Sequence, residues 1–171
     1  MKDLLFVFAK IKGRITGSHE AVNDYYRHKG VKIGKGCLIC SNPVTREPFL
    51  VEIGENTTIS TGVSFITHDN SVKLLFPGKT DVFGKITIGD NCFIGQNSTL
   101  LYGVTISDNV IIAAGSVVTR SITESNVIYA GNPAKKIGNW DTLRDKLKDK
   151  VICRSDLKKK YDVDNNILVE K

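Results

Sequence analysis

The stretch VFGKITIGDNCFIGQNSTLLYGVTISDNVIIAAGSVVTRSIT, residues 82–123, carries an aliphatic side chain at every sixth position. These positions are Val82, Ile88, Ile94, Leu100, Ile106, Ile112 and Val118. An amphipathic helix repeats about every 3.6 residues and a half-buried strand about every 2, so neither produces this spacing. A six-residue period is typical of short strands joined by tight corners in a coiled parallel sheet.

Small residues recur at fixed places between the aliphatic ones. The residue directly after the aliphatic position is often small, as in Gly89, Gly95, Ser107, Ala113 and Thr119. The residue four places on is small or β-branched, namely Ile86, Cys92, Ser98, Val104, Val110, Ser116 and Ile122. We interpret the small residues as corners, and the fold class that the sequence predicts is an all-β solenoid.

The six-residue pattern begins near Val31 and is interrupted twice before residue 82. Ile33 and Ile53 are twenty residues apart, which predicts a small loop around Pro43–Pro48. A second interruption lies between Phe65 and Val82 and predicts a loop excursion at about residues 67–81. Excursions on one face of a solenoid are where binding residues concentrate.

Short helical elements are predicted on both sides of the solenoid. Residues 1–15 have the pattern of a short helix, and Ser18 to Lys29 that of a second one with Ser18 as N-cap. Asn139 is predicted to cap a helix that places Trp140, Leu143, Leu147 and Val151 on one face. The expected organisation is therefore an N-terminal helical segment 1–30, a solenoid 31–137, and a C-terminal helix and tail 138–171.

The composition indicates one domain with short flanking elements, a net charge of +6 and a pI of about 9.1. The sequence has no zinc-finger spacing, helix-turn-helix pattern or aromatic-interleaved basic stripe, so a small polyanion fits the charge better than nucleic acid. No apolar run approaches the ~18 residues of a membrane span. We therefore expect a cytoplasmic protein, with contact of the N-terminal helix or of Lys158–Lys160 with an anionic membrane surface as an open alternative.

Four cysteines include the pair Cys37 and Cys40 in a C-x-x-C arrangement. A redox or metal site would need a second pair or a suitable helix start, and neither is present in the sequence. Both cysteines occupy small-residue positions of the repeat, so we interpret them as structural.

The run IAAGSVVTRSITESNVIYAGNPAKKI, residues 112–137, together with the six-residue pattern, resembles the hexapeptide-repeat acyltransferases. The resemblance covers about residues 31–137 and is to the sugar and polysaccharide O-acetyltransferases and the maltose, galactoside and xenobiotic acetyltransferases. It implies a left-handed parallel β-helix, acetyl-CoA as cosubstrate, no metal, and a homotrimer with its sites between subunits. The left-handed sense comes from the resemblance alone, since ordinary parallel crossovers are right-handed.

His68 stands at the start of the second excursion and is the only histidine in residues 31–137. The resemblance implies that it is the catalytic histidine, followed by Asp69 as is frequent in the family. The chemistry agrees, because a thioester is already activated and acyl transfer needs only a base for the hydroxyl proton. Imidazole, with an unperturbed pKa near ~6.5, suits that task. The group that orients the ring stays open among Asp69, Asp81 and a backbone carbonyl.

Five further residues match the family's coenzyme-binding positions. The backbone amide of Gln96 matches the donor that stabilises the oxyanion, and Ala114 and Thr119 match backbone contacts to the pantetheine arm. Arg120 and Lys135 match basic contacts to the phosphates, with Lys136 as an additional candidate. The sequence departs from the family at Gly138, where many relatives carry an arginine.

We thus expect an acetyl-CoA-dependent O-acetyltransferase that acts on a hydroxyl of a sugar or polysaccharide precursor by direct transfer. An amino-sugar N-acetyltransferase and a xenobiotic O-acetyltransferase are the alternatives within the family. A zinc enzyme on the same fold needs about three imidazoles, and the solenoid has one. A non-catalytic scaffold would need neither His68 nor a basic groove.

Overall fold

The computed structural model describes residues 3–157 of the chain. The chain forms two compact units, one up to Ile137 and one from Gly138 onward. Within residues 3–157, no helix combines the length and the apolar character that crossing a bilayer requires.

Two helices open the first unit, α1 at Leu4–Thr16 and α2 at Glu20–His28. Asp3 caps α1, since its side chain accepts a hydrogen bond from the backbone N–H of Leu5. Gly17 ends the helix in the left-handed conformation, with a φ of 66°. The N-cap of α2 is His19, so the assignment of Ser18 as N-cap was wrong by one residue; the hydroxyl of Ser18 still accepts from the N–H of Glu20, 3.2 Å away.

Fifteen short strands follow the two helices. They are β1 Lys32–Ile33, β2 Leu38–Ile39, β3 Val51–Ile53, β4 Thr58–Ile59, β5 Ser64–Phe65, β6 His68–Asp69, β7 Val82–Phe83, β8 Ile86–Ile88, β9 Phe93–Ile94, β10 Thr99–Leu100, β11 Thr105–Ile106, β12 Val110–Ile112, β13 Val117–Val118, β14 Val127–Ala130 and β15 Lys135–Asn139.

Three sheets take up the strands in rotation, and the strand pairs from β1 to β14 within them are parallel. The first has the order β1-β3-β8-β11, the second β15-β14-β12-β9-β4-β2, and the third β13-β10-β5. Consecutive strands such as β3, β4 and β5 enter the first, second and third sheet in turn. The chain therefore coils with three strands to a turn, and a coiled sheet of short strands is what the six-residue pattern predicts.

The core consists of aliphatic side chains stacked from one coil to the next. Ile88, Ile94, Leu100, Ile106, Ile112 and Val118 are at most 1% exposed. The first member of the periodic series, Val82, was placed in this stack wrongly. It is only half-buried and lies in β7, which pairs antiparallel with β6 outside the coil.

Two cysteine thiols belong to this core. Cys37 Sγ donates to the carbonyl of Gly54 at 2.9 Å, and Cys92 Sγ donates to the carbonyl of Ser107 at 3.1 Å. Burial raises the pKa of both thiols, which keeps them protonated and unreactive. Cys40 is exposed and unpaired, so the C-x-x-C pair forms no disulfide.

The corners of the coil use residues in the left-handed backbone conformation. From residue 91 onward these residues are six positions apart and are asparagine or glycine: Asn91, Asn97, Gly103, Asn109 and Gly115. Glycine and asparagine are the residues that adopt a positive φ at the lowest cost. Each stands three positions after a buried aliphatic residue, a second regularity that the sequence analysis did not use.

Two excursions leave the coil. The first spans residues 40–50 between β2 and β3 and contains a 3-10 turn at Pro48–Leu50. The second spans residues 66–85, with a 3-10 turn at Ser71–Leu74 between β6 and β7. Because β6 and β7 pair antiparallel, the second excursion is a hairpin whose base adjoins the coil.

The second unit contains helix α3, Trp140–Leu147. Asn139 caps it, with its side-chain oxygen 2.9 Å from the N–H of Thr142, as the sequence predicted. The helix ends at Leu147, so the placement of Val151 on its face was wrong. The lysine run Lys158–Lys160 lies outside the described residues.

Replacing the corner residue Asn109, whose φ is 58°, tests the left-handed corners. We expect Asn109→Ala to lower the free energy of unfolding by about 1 kcal/mol, because alanine adopts this conformation at a cost. Asn109→Gly is the matched control and should cost less, since glycine has no Cβ. Urea unfolding at one fixed protein concentration measures both. Equal losses in the two variants would contradict the backbone explanation.

Candidate active site

His68 lies at the base of the second excursion. It pairs with Phe83 across β6 and β7, and its ring centroid is 5.8 Å from that of Phe83. The N–H of Gly84 donates to the carbonyl of Thr67 at 3.0 Å, which closes the base of the hairpin. The His68 side chain is 30% exposed, so one side of the ring is held by protein and another faces solvent.

A carboxylate from the first excursion holds the ring of His68. Glu47 Oε2 lies 2.9 Å from His68 Nδ1. The hydroxyl of Thr67 donates to the same oxygen at 2.8 Å. Glu47 is more buried than His68, with 18% of its side chain exposed. The two excursions therefore meet at one histidine–glutamate pair.

The ionisation of Glu47 follows from these contacts. Burial alone would raise the pKa of its carboxyl group, but the hydrogen bonds from Thr67 and His68 and the charge of His68 outweigh it. The pKa of Glu47 is therefore lowered. An ionised carboxylate only accepts hydrogen bonds, so Nδ1 of His68 carries the proton. In the neutral ring Nε2 then has a free lone pair, as a general base requires.

Glu47 was missed by the sequence analysis, which considered Asp69, Asp81 and a backbone carbonyl as the group that orients His68. A signal existed, because equivalent positions in the first two coils are twenty residues apart, as in Lys32 and Glu52. Glu47 precedes His68 by 21 residues and is the only acidic residue of the first excursion. It therefore lies about one coil away from the histidine.

Asp69 hydrogen-bonds to the backbone and not to Nδ1 of His68. Its carboxylate accepts the backbone N–H of Ser71 at 2.8 Å, which stabilises the turn after β6. This hydrogen bond is the main reason why the pKa of Asp69 is lowered, and the charge of His68 adds to it. The catalytic role of Asp69 stays a prediction.

A cavity of about 480 Å³ opens beside His68. Its polar lining comes from both excursions and from the coil, and includes Asn42, Thr45, Arg46 and Ser64. A volume of this size accommodates a small ligand. The cavity and the pair of His68 and Glu47 together form the candidate active site.

The structure brings two of the predicted coenzyme positions together at one corner. Gln96 and Ala114 lie in neighbouring coils, and the N–H of Gly115 donates to the carbonyl of Gln96 at 2.8 Å. Within residues 3–157, the backbone N–H groups of Gln96 and Ala114 have no hydrogen-bond acceptor. They are free to bind a ligand. Neither residue contacts His68 in this chain.

Thr119, Arg120 and Lys135 form a second group near the end of the coil. The N–H of Ala134 donates to the carbonyl of Val117 at 2.8 Å, which brings Lys135 beside the chain that leads to Thr119 and Arg120. All three predicted residues are exposed. Among the described residues, Arg120 and Lys135 have no ion-pair partner, whereas Lys136 pairs with Glu124.

Residues 3–157 contain no group of three or more histidine, cysteine, aspartate or glutamate side chains that could hold a metal ion.

Comparison with known proteins agrees with this fold. A family model described as the hexapeptide repeat of succinyl-transferase matches residues 30–66 and 85–120. The chain is 44% identical to protein CapG of Staphylococcus aureus over 130 residues, which is 72% of this chain and 74% of CapG. It is 39% identical to a putative acetyltransferase of Saccharomyces cerevisiae over 135 residues, 77% of this chain and 68% of that protein.

A solved structure shares the fold. The maltose O-acetyltransferase of Clostridium difficile superimposes with a TM-score of 0.60 at 23% identity, covering 79% of this chain and 86% of that one. The chain belongs to the hexapeptide-repeat family of acyltransferases. It is thus an enzyme of the acyltransferase class.

The contact between Glu47 and His68 predicts how the glutamate titrates. Because the pKa of Glu47 is lowered on folding, its charge stabilises the fold above the ordinary carboxyl pKa, and this contribution is lost as the pH falls through the lowered value. In His68→Ala the pKa of Glu47 should rise towards its ordinary value. Carbon NMR titration of the side-chain carboxyl groups measures it.

Asp69 is the internal control in the same spectrum. Its pKa is lowered mainly by the N–H of Ser71, so it should keep most of its shift in His68→Ala. An unchanged pKa of Glu47 would show that the histidine does not contribute.

Proposed function

We propose that the protein is an acetyl-CoA-dependent O-acetyltransferase that acts on a hydroxyl group of a sugar or polysaccharide precursor, with His68 as general base. The observation that carries the proposal is the contact of His68 Nδ1 with Glu47, 2.9 Å long, beside a polar cavity. It supports a ring with a fixed tautomer and a free Nε2 at a place where an acceptor can bind.

The reaction is a direct transfer. Nε2 of His68 takes the proton of the acceptor hydroxyl as its oxygen attacks the carbonyl carbon of the thioester, and a C–O bond forms. The tetrahedral intermediate then collapses, the C–S bond breaks, and the imidazolium returns the proton to the leaving thiolate. Glu47 stabilises the imidazolium while it exists. The ionised carboxylate of Asp69, the residue next to His68, adds to the stabilisation of the imidazolium.

The remaining coenzyme contacts are proposed from residues whose polar groups are free. The N–H of Gln96 would donate to the oxyanion, and the N–H groups of Ala114 and Thr119 would bind the pantetheine arm. Arg120 and Lys135 would bind the phosphates, since both are exposed cations without ion-pair partners among the described residues.

The cavity beside His68 supports a polar acceptor. The polar residues Asn42, Thr45, Ser64 and Arg46 line a space of about 480 Å³. Such groups recognise hydroxyl-rich molecules, and Arg46 suits an acceptor that also carries a phosphate or carboxylate. An assay panel of sugars, nucleotide sugars, amino sugars and xenobiotic alcohols identifies which acceptor is used.

We further propose a homotrimer of left-handed β-helices. Leu74, Leu75 and Phe76, at the tip of the second excursion, are at least 57% exposed in the single chain, which supports a neighbouring subunit that covers them. In this arrangement residues 31–137 form the transferase, and segments 1–30 and 138–171 flank it. The four unpaired cysteines and the use of acetyl-CoA support a cytoplasmic location.

Removing the base tests the mechanism. We expect His68→Ala to lower kcat by about 10²- to 10⁴-fold, with the dissociation constant for acetyl-CoA unchanged, because proton transfer is lost and the coenzyme groove is intact. Steady-state kinetics and calorimetry measure the two quantities. Turnover near that of the wild type would remove His68 from the mechanism.

Glu47→Gln is the matched control for the positioning of the ring. The amide can still accept a hydrogen bond but carries no charge, so kcat should fall by less than in His68→Ala. If the protein were a non-catalytic scaffold, neither the wild type nor any of these variants would bind acetyl-CoA.

Mixing two variants tests whether the site lies between subunits. Arg120→Ala should weaken acetyl-CoA binding most visibly at low salt, since salt screens phosphate contacts. Trimers refolded from a mixture of His68→Ala and Arg120→Ala chains would contain some sites with both native residues. They should recover activity at low acetyl-CoA concentration, whereas sites within single chains would give no recovery.

A further inference from the structure

Helix α1 has two apolar faces, and only one of them packs against the protein. On the packed face, Phe6 stacks on Tyr25 and Tyr26 at ring distances of 5.0 and 5.8 Å. Ala9 is 8% exposed, and a Cβ at Gly13 would lie 2.9 Å from the carbonyl oxygen of Ser18. This is the apolar face that packs α1 against α2.

The opposite face carries large apolar side chains in contact with solvent. Leu4, Phe8, Ile11 and Ile15 are spaced by four, three and four residues, so they lie along one side of the helix. Their exposed fractions are 72%, 65%, 49% and 80%. We call these four residues the exposed stripe of α1. Over 13 residues the helix is about 20 Å long, and the fold does not need this stripe for its own packing.

Basic side chains border the exposed stripe on both sides. At about 100° per residue, Lys12 lies on one border and Arg14 on the other, and both are exposed, whereas Lys10 lies nearer the packed face with its ammonium group 4.6 Å from the ring centre of Phe6. The helix itself contains no acidic residue. Asp3, which precedes it, is engaged by Tyr25 at 2.7 Å and by Lys29 at 3.0 Å. The charged side chains of the helix itself are therefore all basic, and Asp24 of α2, which lines the same surface cavity as Phe8 and Lys12, is paired with Arg27 at 2.6 Å.

We propose that α1 is an interfacial helix that binds the protein to an anionic lipid bilayer. The surface of such a bilayer consists of an apolar acyl region below a layer of anionic phosphates. The exposed stripe enters the acyl region, while the lysine and arginine side chains on its borders extend to the phosphates. A protein partner would require charges of opposite sign arranged around the stripe, whereas anionic lipid headgroups supply them everywhere. The helix lies on the membrane and does not cross it.

Binding of the full-length protein to vesicles tests this proposal. We expect wild-type protein to float with vesicles of equal parts phosphatidylglycerol and phosphatidylcholine, and to bind pure phosphatidylcholine much less. The double variant Phe8→Gln, Ile15→Gln should lower the partition coefficient by about tenfold or more, because two apolar side chains no longer enter the acyl region. Both side chains are exposed, so the fold should persist, as circular dichroism checks.

Two further variants separate the apolar and the electrostatic contributions. Lys12→Gln with Arg14→Gln should weaken binding to anionic vesicles by about fivefold per charge, with little effect on neutral ones. Val151→Gln, which removes an apolar residue that is 67% exposed outside α1, is the matched control and should bind as the wild type does.

Three outcomes would overturn the proposal. The first is failure of the wild-type protein to bind anionic vesicles. The second is equal binding by the Phe8→Gln, Ile15→Gln variant. The third is a change in the oligomeric mass of that variant without lipid, which would show that the stripe contacts a second copy of the chain. Acetyl transfer is not part of the readout, so the result is independent of the proposed function.

Discussion

The left-handed corner is the constraint on which the rest of the structure depends. One residue in six must hold a positive φ, and asparagine or glycine supplies it at Asn91, Asn97, Gly103, Asn109 and Gly115. With the corners fixed, the aliphatic residue three positions earlier points inward in every coil and the strands stack in parallel. The two excursions leave and rejoin this frame, and Glu47 and His68 meet where they do so.

The periodic core could be predicted from the sequence because each buried position repeats the same local environment. Ile94 and Ile112 pair directly in neighbouring strands, and both are fully buried. Val82 shows the limit of this reasoning. It continues the six-residue count, but it belongs to the hairpin, since pairing with Asp69 replaces the coil contact. The six-residue count identifies the repeat, but the burial of a side chain depends on which strand pairs with its own.

The candidate site was predictable only in part, for a related reason. His68 was singled out because it opens an interruption of the pattern and matches the family's catalytic position, whereas Gln96 and Ala114 were proposed only because they match positions in related proteins. Glu47 lies in an irregular loop with a 3-10 turn, whose path the repeat does not determine. Its contact with His68 and Thr67 depends on how two loops from neighbouring coils fold over each other.

The spacing of the paired strands also bears on how the chain reaches its folded state. In the uninterrupted coils a residue pairs with one eighteen positions later, as Thr87 does with Thr105, whereas Glu52 pairs with Thr87 across the second excursion. Closing a loop twice as long costs about 0.6 kcal/mol more. Solenoids gain stability from neighbour to neighbour, so we expect residues 86–118 to form the nucleus and the earlier coils to add onto it. Glu47 and His68 would then be among the last residues to come into contact. Catalytic activity would therefore appear only after the earlier coils have folded.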